Sequence, residues 1–105
     1  MYDEDLRGQF PNLFHILVGY LDQDFALEAP TLDDAVYLFI DEAAIEDIAV
    51  TRAEIAKFLD LKTNDLDAEL ERLGGLYSRE PGMNARDYLF WLDGLLAEGL
   101  VKKQR

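Results

Sequence analysis

Apolar residues recur every three or four positions along this 105-residue chain, and that spacing constrains the fold more than any other feature. A helix with such spacing presents one apolar face to a core. In the first such segment the apolar positions are Phe10, Leu13, Phe14, Leu17, Val18 and Leu21. Pro11 suits the first turn of this helix, where its missing N–H costs no hydrogen bond. No segment convincingly shows the alternation of apolar and polar residues that is typical of a half-buried strand.

Start signals divide the next part of the chain into two more helices. Thr31 is a typical N-cap, and Asp33 and Asp34 follow it in the first turn, where carboxylates complement the helix dipole. This pattern predicts a second helix. We predict one continuous third helix over residues 44–60, because the apolar spacing is maintained there. The alternative is that the capping-box sequence Thr51–Glu54 starts a new helix.

Glycines mark the ends of the last two predicted helices. A short fourth helix stops at Gly74 and Gly75, and a fifth begins after the N-cap Asn84 and ends at Gly99. Half of the residues are hydrophobic, which is enough to build one core in a chain of this length. The sequence therefore predicts a compact all-α fold, a single-domain bundle of about five helices that spans residues 1–105.

Negative charge is concentrated in the first half of the chain. Residues 1–50 contain twelve acidic residues and one basic residue, Arg7, and the net charge of the whole chain is −12. Such a surface repels nucleic acid phosphates and anionic lipids, whereas it attracts basic proteins and raises their association rates. We therefore expect a basic protein as the partner, with no nucleic acid and no membrane. The alternative is an acidic surface that serves only solubility.

The compartment can be inferred from what the chain lacks. It has no cysteine, which excludes disulfides, thiolate nucleophiles and cysteine-ligated metals and favours a reducing environment. The amino terminus shows neither the basic segment nor the apolar run of a signal peptide. No segment approaches the roughly 18 consecutive apolar residues of a membrane span. We expect a cytoplasmic protein.

Few residues could carry catalysis. His15 is the only histidine and Ser78 the only serine, and a nucleophile–base pair would have to join a helix to a distant loop. Neighbouring carboxylates on a helix point about 100° apart, so the acidic pairs do not converge as metal ligands or as an acid and a base. Glu42 and Glu46 would share a face only if the helix were continuous between them. We expect no enzyme activity, no cofactor, no metal site and no small-molecule substrate.

The second predicted helix has a second stripe opposite its apolar face. If Leu32, Val36, Phe39 and Ile40 are buried, the residues on the other side are Asp34, Tyr37, Leu38 and Asp41. A tyrosine and a leucine among carboxylates suit the apolar centre and charged rim of a protein interface. We interpret this stripe as a binding surface for a basic partner. The alternative is that another helix covers it.

The segment FPNLFHILVGYLDQDF resembles the amino-terminal signature of a family of contact-dependent growth inhibition immunity proteins, the CdiI type. The matching positions are Phe10, Pro11, Leu13, Gly19, Tyr20, Gln23, Asp24, Phe25, Thr31, Ala35 and Val36. The resemblance continues more loosely through RAEI at residues 52–55, LGGLY, and the pairs Tyr88-Leu89 and Trp91-Leu92. Leu21-Asp22 stands where the family frequently has Phe-His, and Phe25 replaces a common Trp.

The resemblance implies a protein that neutralises the carboxy-terminal domain of a cognate CdiA-type toxin in a 1:1 complex, without catalysing a reaction. Such toxins are often nucleases, which must be basic to hold phosphates, and we expect a ribonuclease. The candidate toxin-binding residues are Asp22, Asp33, Asp34, Tyr37, Leu38, Asp41, Glu42, Glu46 and Asp47. The alternative is an acidic adaptor or a nucleic-acid mimic that binds a basic host protein.

A structural role is predicted for the signature itself. If it recurs in proteins that face different toxins, a shared fold explains it better than a shared target. The residues assigned to this role are Phe10, Pro11, Gly19, Tyr20, Gln23, Asp24 and Phe25. We expect Tyr20, Leu21 and Phe25 to pack the end of the first helix against the core. Gln23 or Asp24 would then accept hydrogen bonds from backbone N–H groups at the turn.

Overall fold

The computed structural model describes residues 4–21, 31–74 and 83–104, and these residues form six α-helices and no strand. The helices are α1 (Glu4–Gln9), α2 (Pro11–Gly19), α3 (Leu32–Glu42), α4 (Ile45–Leu59), α5 (Leu66–Leu73) and α6 (Ala85–Gln104). The predicted all-α fold is therefore confirmed. None of the helices in these three ranges is both long and apolar enough to cross a membrane.

The sequence does not predict α1 as a separate helix. Its six residues bury only Leu6, so they contain no repeat of apolar positions that a periodicity argument could use. Phe10 alone separates α1 from α2, with a non-helical φ of −130° and ψ of 57°. Its N–H still donates to the backbone oxygen of Leu6 at 2.9 Å. The short helix is therefore joined directly to the first predicted one.

α6 is the central element of the core. It packs against α3, α4 and α5, while α4 also packs against α2. Its buried residues are Ala85, Tyr88, Leu89, Leu92, Leu96 and Gly99. The ring of Phe10, just before α2, meets the ring of Phe58 on α4 edge to face, with centroids 5.2 Å apart. α3 packs mainly against α6, so one side of it remains available at the surface.

The predicted helix ends are largely confirmed by their hydrogen bonds. Thr31 Oγ1 accepts the N–H of Asp34 at 3.0 Å and caps α3, and Asn84 Oδ1 accepts the N–H of Asp87 at 2.8 Å and caps α6. Gly74 follows α5 with a φ of 113°, a left-handed conformation that a glycine adopts without strain. These three signals are local, which is why the sequence alone could place them.

α4 is continuous, as predicted, and the alternative start within it is wrong. Thr51 lies inside the helix, and its buried hydroxyl donates to the backbone oxygen of Asp47 at 2.7 Å instead of capping a new helix. The chain is interrupted earlier, at Ala43 and Ala44, whose ψ angles of 150° and 155° are extended. This interruption separates α4 from α3.

The prediction that Gly99 ends the last helix is wrong, because α6 continues to Gln104. Gly99 is buried and faces Ile40 of α3. A Cβ at this position would lie 2.7 Å from both Ile40 Cδ1 and Ile40 Cγ2, closer than carbon atoms can pack. The glycine is therefore required for close approach of α3 to α6, and its place near the carboxyl end of α6 made it resemble a stop signal.

Gly99→Ala is expected to lower the free energy of unfolding by about 1–3 kcal/mol, because the new methyl group would overlap Ile40. Gly94→Ala is the matched control, since Gly94 is exposed in the same helix and nothing lies within 4 Å of a Cβ there. Alanine at position 94 should stabilise by up to about 1 kcal/mol through its helix propensity. Urea unfolding measures both changes. A Gly99→Ala protein as stable as the Gly94→Ala protein would contradict the close packing of α3 on α6.

Candidate functional site

α3 turns one side to the core and the other side away from the bundle. Val36, Phe39 and Ile40 are buried, as predicted, with 0%, 3% and 8% of their surfaces exposed, while the side chain of Leu32 lies outside the described part. On the opposite side Tyr37 is 48% exposed. The outward side chains, which we call the α3 face, are Asp33, Asp34, Tyr37, Leu38, Asp41 and Glu42. All six are at least partly exposed, so none is fully covered by another described helix.

Two carboxylates form the edges of the α3 face. Asp33 Oδ1 accepts the indole N–H of Trp91 at 3.2 Å, which places it beside α6. Glu42 Oε1 accepts the phenol O–H of Tyr20 at 2.9 Å, which places it beside the end of α2. Positions nine residues apart on a helix lie about half a turn apart around its axis. Asp33 and Glu42 therefore border the face on opposite sides, with Tyr37 between them.

The segment that contains the α3 face carries only acidic charges, although Lys102 and Lys103 of α6 lie beside its carboxyl end. From Thr31 to Asp47 the chain has six acidic residues and no basic one. Glu46 and Asp47 are exposed in the first turn of α4, beyond the interruption after α3. Glu42 and Glu46 therefore do not share a continuous helical face, and the condition for bringing them together is not met. The last predicted acidic residue, Asp22, lies outside the described residues.

Lys103 fixes the carboxyl end of α3 against α6. Its Nζ donates to the backbone oxygen of Ile40 at 2.6 Å and also to the backbone oxygen of Ala43. A cation at this end of a helix stabilises the exposed carbonyls and the helix dipole. Sequence reasoning missed this contact. A basic residue in the last turn of α6 was visible, but its partners lie 60 or more residues away along the chain.

One partly exposed carboxylate, that of Asp93, is compensated by a neighbouring positive charge. Arg52 of α4 binds both oxygens of Asp93 of α6, with Nε–Oδ1 and Nη2–Oδ2 distances of 2.8 and 3.3 Å. The hydrogen bond to this carboxylate raises the pKa of Arg52. The guanidinium in turn offsets the charge of Asp93. In contrast, no carboxylate of the α3 face forms an ion pair with a basic side chain in the described ranges.

A groove of about 260 Å³ runs beside the α3 face, between α3 and α6. Tyr37, Ile40 and Asp41 line it from α3, and the α6 side is formed by Leu95, Glu98, Lys102 and Lys103. Gly99 also lines it, at the point where α6 packs closely against Ile40. The groove therefore combines apolar surface with charged side chains of both signs.

His15, the only histidine, packs against aromatic side chains. The imidazole lies near the rings of Tyr20 and Phe39, at centroid distances of 5.7 and 6.4 Å. Ser78, the one serine, lies outside the described residues. Within the ranges that the structure covers, no group of three or more histidine, aspartate or glutamate side chains could hold a metal ion.

The signature segment begins and ends α2. Pro11 is its first residue, Gly19 its last, and Tyr20 follows as the C-cap. Leu21 is fully buried and Tyr20 packs against the core, as predicted. The roles predicted for the rest of this corner stay predictions, because its residues lie outside the described ranges: Asp22, Gln23, Asp24 and Phe25.

Glu54 of α4 caps the amino terminus of α2. Phe10 provides no side-chain cap there, and Pro11 has no N–H. Glu54 Oε1 accepts the N–H groups of Asn12 and Leu13 at 2.9 and 3.0 Å, and its Oε2 accepts Asn12 Nδ2 at 2.6 Å. Only 7% of the Glu54 surface is exposed. A buried carboxylate thus satisfies backbone groups that would otherwise lack partners at this helix end.

This contact joins two segments that were singled out separately in the sequence, FPNL and RAEI. The alternative interpretation of Thr51–Glu54 as a capping box is wrong, because Glu54 caps a helix 42 residues earlier. A signal was present: Glu54 lies on the same side of α4 as the buried Ile55 and Phe58. A charged residue among core positions requires a polar partner, although periodicity cannot name that partner.

Glu54→Ala is expected to lower the free energy of unfolding by about 2–3 kcal/mol, because it leaves two backbone N–H groups without their acceptor. Glu54→Gln should cost less, since its amide oxygen can still accept a hydrogen bond, although the charge at the helix terminus is lost. Glu98→Ala is the control, an exposed glutamate on α6 whose loss should change stability by no more than about 0.5 kcal/mol. Denaturant unfolding ranks the three. Equal stability of Glu54→Ala and Glu98→Ala would show that the cap contributes nothing.

The family model described as CdiI immunity protein matches residues 9–96 of the chain. The matched segment contains all of α2, α3, α4 and α5 and the greater part of α6. It therefore includes the α3 face and the contact between Glu54 and α2. No curated protein and no solved structure matches the chain.

Proposed function

This chain belongs to the CdiI immunity protein family, and we propose that it binds and neutralises the carboxy-terminal domain of one cognate contact-dependent growth inhibition toxin through the α3 face. The observation that supports this surface is the exposure of Tyr37, at 48%, in the middle of a row of carboxylates. Tyrosine is enriched at the centres of protein interfaces, where it combines a large contact area with one polar group. The surrounding carboxylates form a rim that suits a basic partner.

The toxin that fits this surface is a basic nuclease, and we propose a ribonuclease. A nuclease must present positive charge to bind phosphates, and the same charge would be attracted to the α3 face. Inhibition is stoichiometric: the immunity protein acts in the cytoplasm as a 1:1 partner that keeps substrate away, and it catalyses no reaction. We expect an interface of about 1,600 Å² and a dissociation constant in the nanomolar range or below.

Co-expression with the toxin domain encoded immediately upstream is expected to restore growth that the toxin alone prevents. Tyr37→Ala should weaken this protection and raise the dissociation constant by about tenfold or more, because it removes the apolar centre of the interface. The matched control is Phe90→Ala on α6, since Phe90 is 57% exposed but does not belong to the α3 face. Growth curves and calorimetric titration measure the two effects.

Toxicity that the wild-type protein does not relieve would reject the proposed function. If protection is observed but Phe90→Ala weakens it and Tyr37→Ala does not, the function stands and the surface is wrong. If the protein does not bind the toxin domain but repeatedly captures one basic host protein from cells that lack any toxin, the alternative function as an acidic adaptor is favoured.

Charge reversal at Asp41 is expected to slow association with the toxin domain by about three- to tenfold at low salt, because it removes attraction from the α3 face. The control Asp60→Lys changes the net charge by the same amount as Asp41→Lys. Asp60 follows α4, about 20 Å along the helix axis from its first residue. This control should slow association less. Stopped-flow rates at a series of salt concentrations compare the two variants. Equal rates for both, or a wild-type rate that does not fall with salt, would exclude steering by the α3 face.

A further inference from the structure

Aromatic donors from two different helices hold the two edge carboxylates of the α3 face. The phenol O–H of Tyr20, at the end of α2, donates to Glu42 Oε1 at 2.9 Å. The indole N–H of Trp91, on α6, donates to Asp33 Oδ1 at 3.2 Å. Both aromatic rings are themselves anchored by packing. Tyr20 lies edge to face on Phe39 with centroids 5.3 Å apart, and both Tyr20 and Trp91 pack against the core cluster.

A neutral donor orients a carboxylate without cancelling its charge. This distinguishes Asp33 and Glu42 from Asp93, whose partner Arg52 carries a positive charge. The second oxygen of each edge carboxylate, Asp33 Oδ2 and Glu42 Oε2, accepts no hydrogen bond from another described residue. Each edge of the α3 face therefore presents a carboxylate that is oriented by one hydrogen bond and has a second oxygen able to accept another from a partner.

We infer that Tyr20 and Trp91 are positioning residues for toxin binding, which hold Glu42 and Asp33 in place for two cationic side chains of the toxin. This inference rests on the proposed function. The two carboxylates lie nine residues apart, so the cations they fit are separated by about 14 Å along the axis of α3. Tyr37 lies between them and contacts the apolar surface that separates those cations.

The physical gain is preorganisation. A flexible glutamate or aspartate must lose rotamer freedom when a partner binds, and that loss reduces affinity. Donors that already restrict the side chains in the free protein remove part of this cost. Tyr20 thereby connects the family signature, which shapes the end of α2, to the surface that meets the toxin.

Tyr20→Phe is the sharpest test, because it deletes only the O–H and keeps the ring contacts with His15 and Phe39. Calorimetric titration against the purified upstream-encoded toxin domain should show a dissociation constant raised about three- to tenfold. In a Glu42→Ala background the same change should have no further effect, because the carboxylate it positions is gone. Trp91 and Asp33 are tested by a second double-mutant cycle, in which Trp91→Phe should weaken binding in the wild-type background but not in the Asp33→Ala background.

Arg52→Met is the matched control. It breaks a hydrogen-bonded contact between helices that does not involve the α3 face, so it should lower the melting temperature and leave toxin affinity unchanged. In the toxin-free protein, the NMR resonance of the Trp91 indole N–H should shift when Asp33 is replaced by alanine. This measurement detects the hydrogen bond without any partner, and an unchanged resonance would overturn the inference.

The outcomes separate the inference from the proposed function. If the wild-type protein binds the toxin domain and Glu42→Ala weakens binding while Tyr20→Phe does not, positioning is overturned and the function stands. Equal effects of Tyr20→Phe with and without Glu42 also overturn positioning, because the tyrosine then acts independently of the carboxylate. Absence of binding by the wild-type protein rejects the proposed function and the inference together.

Discussion

The carboxylate of Glu54, buried between α4 and the first turn of α2, determines how the family signature is attached to the rest of the bundle. Phe10 and Pro11 start α2 with no capping group of their own, so the helix depends on an acceptor from elsewhere in the chain. α4 provides it and packs on α6 as well, and α6 in turn carries α3. One buried carboxylate thus links the start of the signature segment, through α4 and α6, to α3.

Four described carboxylates illustrate three different roles. Glu54 is buried and satisfies backbone donors, and Asp93 is offset by a guanidinium. Asp33 and Glu42 accept hydrogen bonds from neutral aromatic side chains and keep their charge. Net charge alone, −12 for the chain, does not reveal this division. What distinguishes a binding surface from a merely soluble one is which carboxylates are left uncompensated and how firmly they are held.

Local patterns predicted the parts of the fold that depend on neighbouring residues. The cap at Thr31, the stop at Gly74 and the apolar side of α3 all follow from residues within a few positions of one another. α1 was missed because it has a single buried residue.

Contacts between distant residues could not be predicted in the same way. Gly99 was assigned as a helix end because the residue that requires it, Ile40, belongs to another helix. The donors that hold Asp33 and Glu42 are likewise 58 and 22 residues away, so the sequence could indicate an acidic, partly apolar face but not its organisation. Glu54 was visible only as a charge at a core position, and its actual partner lay beyond any local rule.

Along α3, pairs of outward-facing residues alternate with pairs of buried residues. Leu38 stands directly before the buried Phe39, and Asp41 directly after the buried Ile40. If α3 binds a partner as proposed, substitutions that change the choice of partner would therefore fall on adjacent pairs of residues that recur every four positions. Substitutions in the intervening buried pairs, Ala35-Val36 and Phe39-Ile40, would alter the stability of the bundle instead. One side of α3 can therefore change while the other side keeps the helix packed on α6.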